Sequence, residues 1–231
     1  MAKKAFVASM FDNIAPTYDK LNHILSLNID KLWRIDAINR LAKTEPKVVL
    51  DEACGTGDFS ILIAQKCKDA KVIGIDISEG MMEVGRQKVQ AAGLADRITM
   101  HVDDATQLQM DDNSVDAITV AFGVRNYEHL QQGLNEMCRV IRPGGSTFIL
   151  ELSVPQNRVL LWCYKLYFLH ILPWVGGLIS GNKEAYNYLP ASVLHFPKPD
   201  AFLAMMKEAG FSDCKQKAYT FGLCRLYIGK K

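Results

Sequence analysis

Residues 48–58 read Val-Val-Leu-Asp-Glu-Ala-Cys-Gly-Thr-Gly-Asp, and no other segment limits the fold as strongly. Lys47–Asp51 reads as a strand buried on both faces. Gly55-x-Gly57 then makes a tight turn, and Asp58–Lys68 reads as a helix. Strand, glycine turn and helix in that order belong at the carboxyl edge of a parallel sheet, where backbone can approach a ligand closely.

The chain repeats this alternation. Lys71–Asp76 reads as a second strand, and Ser78 caps a helix over Glu79–Ala92. Arg97–Val102 and Val115–Val120 are the third and fourth strands. A helix over Glu128–Ile141 is stopped by Pro143-Gly144-Gly145, and Ser146–Leu152 is the fifth strand. Strands alternating with helices imply parallel pairing with right-handed crossovers. Cys214–Tyr219 and Leu223–Ile228 alternate with only a short turn between them, so they form a hairpin with at least one antiparallel strand. The expected fold is α/β and Rossmann-like, a mostly parallel seven-stranded sheet with an antiparallel C-terminal hairpin strand. It forms one domain: a helical N-terminal cap (1–46, with breaks at Ala15-Pro16 and Asn28), a cofactor-binding half (47–152), an aromatic, irregular substrate cap (153–198), and a last helix with the hairpin (199–231).

Composition narrows the function classes. With 231 residues, 49% apolar and 23% charged, the chain is globular. A net charge of +2 argues against a nucleic-acid partner. The charge is unevenly spread: 8 basic against 5 acidic residues in 1–47, 9 against 15 in 48–150, and 10 against 5 in 151–231. Six scattered cysteines without a C-x-x-C pair fit neither a zinc site nor a disulfide framework, so a reducing cytoplasm is expected. Nothing before Asp12 reads as a signal peptide. Leu166–Asn182 carries no charge but is too short to span a bilayer and contains Pro173 and Gly176-Gly177, so a buried or interfacial segment is expected.

The chemistry gathers at strand ends. Asp51, Glu52 and Asp58 surround the glycine turn. Carboxylates there oppose a pyrophosphate but suit a cation such as S-adenosylmethionine. Asp76, nineteen residues after Gly57, is placed to accept from ribose hydroxyls. Asp103-Asp104-Ala105, ending the third strand, is placed to flank an adenine. A dinucleotide site and a turn with no ligand stay open as alternatives. The first lacks the third small residue of its fingerprint, because position 60 is Ser.

More specific stretches carry a resemblance. Phe11-Asp-Asn-Ile-Ala-Pro-Thr-Tyr-Asp19, Leu27 to Trp33-Arg34, Phe122-Gly-Val-Arg-Asn126, Ile179-Ser-Gly181, Glu184-Ala-Tyr-Asn-Tyr-Leu-Pro190, Phe196-Pro197 and Phe221 to Gly229 run in order along the chain. Together with the strand-end motifs they resemble the UbiE/MenG quinone-biosynthesis C-methyltransferases, a family of class I S-adenosylmethionine-dependent enzymes. The resemblance implies methylation of demethylmenaquinol to menaquinol, with a ubiquinol precursor as a second acceptor. It places cofactor contacts on Thr56, Asp76, Asp104 and Ala105, beside Gly55, Gly57 and Asp51 of the strand and turn. Many relatives have Asn at position 104, and Asp there accepts a hydrogen bond but cannot donate one. The family also implies a polyprenylated quinol substrate, peripheral contact with the inner face of the cell membrane, and a homodimer as an open question.

Methylating a ring carbon needs an electron-rich phenolate. Arg125, following the fourth strand, is the first choice for the cation that favours it; its arginine pKa excludes a role as base. The alternative is a structural salt bridge. Asn126 orients the same oxygen or caps a helix, and Asp58 takes a proton or serves the helix dipole. His195 competes as a base but reads more readily as structural. No metal-ligand spacing appears.

Overall fold

The computed structural model describes residues 4–19, 26, 28–166 and 183–231. Readings that fall on His23, Leu27, His170, Ile179–Gly181, the aromatic Tyr167, Phe168 and Trp174, and nearly all of Leu166–Asn182 lie outside them.

The described elements are helix α1 (Lys4–Ile14), helix α2 (Ile29–Ala42), strand β1 (Val48–Glu52), helix α3 (Asp58–Lys66), strand β2 (Lys71–Asp76), helix α4 (Glu79–Ala91), strands β3 (Ile98–Val102) and β4 (Val115–Ala121), helix α5 (Leu130–Val140), strand β5 (Ile141–Leu152), helices α6 (Arg158–Leu166), α7 (Lys183–His195) and α8 (Pro199–Glu208), and strands β6 (Ser212–Tyr219) and β7 (Cys224–Lys230). The strands form one sheet in the order β3-β2-β1-β4-β5-β7-β6. The first five are parallel, and β7 is antiparallel to both β5 and β6. This is the expected fold class. Strand order reverses at β1, whose neighbours are β2 and β4. A crevice opens at such a switch point, beyond the carboxyl ends of the strands.

Alternation along the strands feeds two cores. Val49 points to one face, where Trp33 and Leu41 of α2, Phe59 and Ile63 of α3 and Met82 of α4 are buried. Leu50 points to the other, with Leu134 and Met137 of α5 and Phe202 and Met206 of α8. With both faces covered, a central strand must be apolar throughout, and β1 is nearly fully buried. Ser78 caps α4 as expected: its hydroxyl accepts from the Met81 N–H at 3.2 Å.

Two expectations are corrected. Pro143-Gly144-Gly145 does not stop α5, which passes into β5 directly at Ile141. The three residues instead lie inside β5, in an irregularity where pairing shifts from Val115–Ile141 to Ala117–Ser146. A proline, which cannot donate to a ladder, is tolerated at such a bulge. Within the substrate cap, expected to be irregular, the described residues 158–166 and 183–195 form the helices α6 and α7.

Candidate active site

The turn after β1 is built from residues in left-handed backbone conformations: Ala53 (φ 49°), Gly55 (φ 56°) and Gly57 (φ 78°). At Gly57 this conformation lets the chain turn straight into α3. The Asp76 carboxylate at the end of β2 is tied to the same turn. One oxygen accepts from the Gly55 N–H at 2.9 Å and the other from the Ser78 N–H at 2.9 Å. Burial raises the Asp76 pKa, and these backbone donors counter that rise. Across the crevice Gly123 follows β4. A Cβ there would fall 2.4 Å from that of Ala53, so only glycine lets the two loops close together.

The loops enclose a cavity of about 280 Å³. Of the residues singled out in the sequence, Gly55, Asp76, Asp104, Ala105 and Asn126 line it. Thr56, Gly57, Asp51, Asp58 and Arg125 stand outside its lining. Asp51 lies in the core beneath the turn, where it accepts from Ser60 at 2.5 Å and Thr119 at 2.7 Å. Burial raises its pKa to about 6 against those hydroxyls. Thr56 donates to Asp19 at 2.5 Å. Asp58 pairs with Lys88, which also reaches Asp19 at 2.7 Å.

The N-terminal helix completes the wall, a contribution not read from the sequence. Val7, Met10 and Ile14 are the buried residues of α1, and Met10 and Ile14 pack with Met81. Asp12 accepts from the Ser78 hydroxyl at 2.6 Å and the Gly80 N–H at 2.9 Å. These contacts bring Lys4 into the cavity lining, with its ammonium 2.7 Å from Asp104. Nothing in the apolar spacing of α1 marks Lys4 for this role. Asp104 is also fixed from its other oxygen, which accepts from the N–H and hydroxyl of Thr106 at 2.9 and 2.7 Å.

Two further acid groups are buried: Glu52, read from the sequence as a carboxylate beside the ligand but standing outside the cavity lining, and Glu151, which the sequence reading missed. Glu52 is fully buried and accepts from the Tyr127 hydroxyl at 2.8 Å; its Oε1 has no hydrogen-bond partner among the described residues. Burial pushes its pKa up to about 8. Glu151 near the end of β5 holds Arg125. Guanidinium and carboxylate are 2.7 Å apart with side chains 5% and 0% exposed, and the Arg125 N–H reaches the second carboxylate oxygen at 3.2 Å. Burial opposes the charge on Arg125, but Glu151 together with Tyr18 and Tyr188 offsets it and the pKa is raised. Its signal in sequence was an acidic residue in an otherwise apolar strand. Arg125 also donates to the Phe122 carbonyl, whose residue takes the left-handed conformation (φ 65°). Beside it, Asn126 Oδ1 accepts from the Tyr188 hydroxyl of α7 at 3.0 Å. His195 is exposed, and its Nδ1 lies 2.7 Å from the Ala191 carbonyl.

The arrangement offers an acidic, glycine-lined end near β1–β3 and an amide beside a buried guanidinium after β4. The model of the ubiE/COQ5 methyltransferase family matches residues 1–231. A demethylmenaquinone methyltransferase of Bacteroides fragilis is 45% identical over 229 residues, covering 99% of this chain and 94% of that one. A ubiquinone/menaquinone biosynthesis C-methyltransferase UbiE of Geobacter sulfurreducens is 43% identical over 226 residues, covering 97% and 88%. Among solved structures, a SAM-dependent methyltransferase of Aquifex aeolicus shares the fold, with a TM-score of 0.58, 18% identity and coverage of 84% and 88%.

Proposed function

The chain belongs to the ubiE/COQ5 methyltransferase family, and on that premise we propose that it methylates a ring carbon of demethylmenaquinol, giving menaquinol. The observation that carries the reading is one cavity running from Asp76 and Asp104 to Asn126. When bound, S-adenosylmethionine supplies an electrophilic methyl group on a sulfonium. The residues fit that cofactor: Asp76, Asp103 and Asp104 line the cavity, a carboxylate-rich wall suited to a positively charged ligand.

Asp76 accepts from ribose hydroxyls, Asp104 from the adenine amine, and Ala105 flanks the base. Gly55, Thr56 and Gly57 present the turn, which Asp51 braces from below through Ser60 and Thr119. Arg125 stabilises the ring oxygen as a phenolate, and Glu151 keeps the guanidinium charged and in place. Tyr188 occupies the Asn126 carbonyl, which leaves the amide N–H groups for the substrate. Asp58, held by Lys88 outside the cavity lining, accepts the ring proton through water. Holding both reactants in one geometry can supply roughly 7–11 kcal/mol of barrier reduction.

The acceptor carries a polyprenyl tail and resides in a bilayer, so the enzyme meets it as a peripheral protein at the inner membrane face. Among the described residues no helix is long and apolar enough to cross a membrane. Val159, Trp162 and Leu166, three and seven residues apart on α6, are exposed and give this helix an apolar outer stripe.

Incubation with S-adenosylmethionine and a short-tail demethylmenaquinone, with and without dithionite, tests the reaction by mass spectrometry. One methyl gained only under reduction is expected; no methyl in either state overturns the acceptor. A ubiquinol precursor is then the second acceptor, favoured by the double name of the Geobacter sulfurreducens relative. Removing Arg125 alone leaves Glu151 unpaired at about 3–5 kcal/mol in stability. The variant for the mechanism is therefore Arg125→Met with Glu151→Gln. Its kcat is expected to fall by about a hundredfold or more with cofactor binding retained; unchanged kcat removes Arg125 from the chemistry.

A further inference from the structure

Trp33 and Arg34 of α2 stand outside the cavity lining but meet its wall at Phe122. The guanidinium carbon of Arg34 is 5.1 Å from the centre of the Phe122 ring and 5.6 Å from that of Phe59, within cation–π range of both. The Trp33 ring meets Phe122 edge-on at 6.3 Å, and its indole N–H donates to the Thr220 hydroxyl at 3.0 Å. The Arg34 side chain is only 11% exposed, yet its Nε is 3.6 Å from Asp30 and has no hydrogen-bond partner among the described residues. A nearly buried cation is thus held chiefly by two aromatic rings. Phe122 needs such a hold. Its backbone is left-handed (φ 65°), a conformation that a bulky residue keeps only where its surroundings enforce it. Its N–H donates to the Leu150 carbonyl at 2.7 Å, and its own carbonyl accepts from Arg125. A clamp on the ring therefore also fixes the carbonyl that Arg125 bonds.

We propose that Arg34 is a positioning residue for the methyl transfer: it clamps the Phe122 ring and, through the left-handed turn, aims Arg125 at the quinol oxygen. This rests on the reading of Arg125 as the cation that favours the phenolate. Glu151 and the Phe122 carbonyl both bond Nη1 of Arg125, so a shift of the Phe122 turn re-aims the whole planar fork. A cation beside a phenol lowers the pKa of that phenol. A misaimed Arg125 leaves the quinol harder to ionise, and the rising limb of kcat against pH then moves to higher pH.

The pH profile of kcat tests this on the full chain, with S-adenosylmethionine and a short-tail demethylmenaquinone kept reduced by dithionite. The quinol KM, S-adenosylhomocysteine affinity by calorimetry and the urea midpoint are read alongside. Arg34→Met is expected to move the rising limb up by about one pH unit, so that kcat falls about tenfold below the limb and recovers above it. The quinol KM and the S-adenosylhomocysteine affinity are expected to stay as in the unaltered chain. Arg34→Lys keeps the charge without the planar stack and is expected to shift the limb as well. Phe122→Leu is expected to give the same shift, and adding Arg34→Met to it to shift the limb no further. Four outcomes overturn the proposal. An unshifted limb with only a lower urea midpoint makes Arg34 a packing residue. An unshifted limb in Arg34→Lys alone makes it a remote charge. A raised quinol KM with an unshifted limb makes it a substrate contact. Full addition in the Phe122→Leu, Arg34→Met variant removes Phe122 as the link. Arg125→Met with Glu151→Gln separates the two levels: if its limb is unshifted, the underlying reading of Arg125 fails. If that limb shifts while the Arg34→Met limb does not, only the role of Arg34 fails.

Discussion

Glu52 is a fully buried carboxyl group whose one hydrogen-bond donor among the described residues is Tyr127. Its pKa is about 8 in the fold against 4.5 in the open chain. Between those values the folded protein keeps a proton that the unfolded chain has released, so stability falls as pH rises from 4.5 to 8 and is level above. Asp51, raised from 3.8 to about 6, adds a loss of the same sign at lower pH. Glu52→Gln keeps an acceptor for Tyr127 and cannot ionise. Its urea midpoint is expected to fall less between pH 6.5 and pH 8 than that of the unaltered chain; equal slopes would place the titration elsewhere. At this scale the sequence was readable where a polar residue ends a strand. Gly55, Asp76, Asp104, Ala105 and Asn126 meet at one cavity because the ends of adjacent parallel strands must share an edge. Lys4, Glu151 and Tyr188 were not readable as partners. Each reaches the site across a long stretch of chain, and no local spacing records which distant groups tertiary packing brings together.

Elements were legible where periodicity and punctuation agree. β2 is found at Lys71–Asp76 as read, and α4 starts after its serine cap. The failure at β5 has a physical cause. Pro143-Gly144-Gly145 was read as the end of a helix, yet it sits within β5; Pro190, too, lies within a helix, α7. A bulge tolerates a missing N–H, and packing against neighbours outweighs local preference. The same packing makes α8 a sensitive element. Its Phe202 is fully buried between Phe196 and Tyr227, at ring separations of 4.9 and 4.7 Å. Phe202→Ala is expected to cost about 3–5 kcal/mol through lost burial and the cavity left behind. Chemical denaturation measures it; a loss below about 1 kcal/mol would mean that the second core collapses around the gap.

For the whole molecule, the exposed stripe of α6 and the basic 151–231 segment predict a preference for anionic membrane surfaces. Each basic residue near such a surface contributes about 1 kcal/mol. In a flotation assay the chain is expected to rise with anionic vesicles and remain below with neutral ones. Val159→Glu with Trp162→Glu should abolish the rise, and flotation unaffected by that pair would exclude α6 as the contact. The order β5-β7-β6 has a consequence of a different kind. β7 comes after every other strand along the chain but occupies an interior place, hydrogen-bonded on both sides. During synthesis, then, β6 has no partner and the β5 edge stays open until residues 224–230 leave the ribosome. The crevice beyond β1 and β4 takes shape from strands made much earlier, so a nascent chain can own a nearly complete binding site while its sheet is still unsealed.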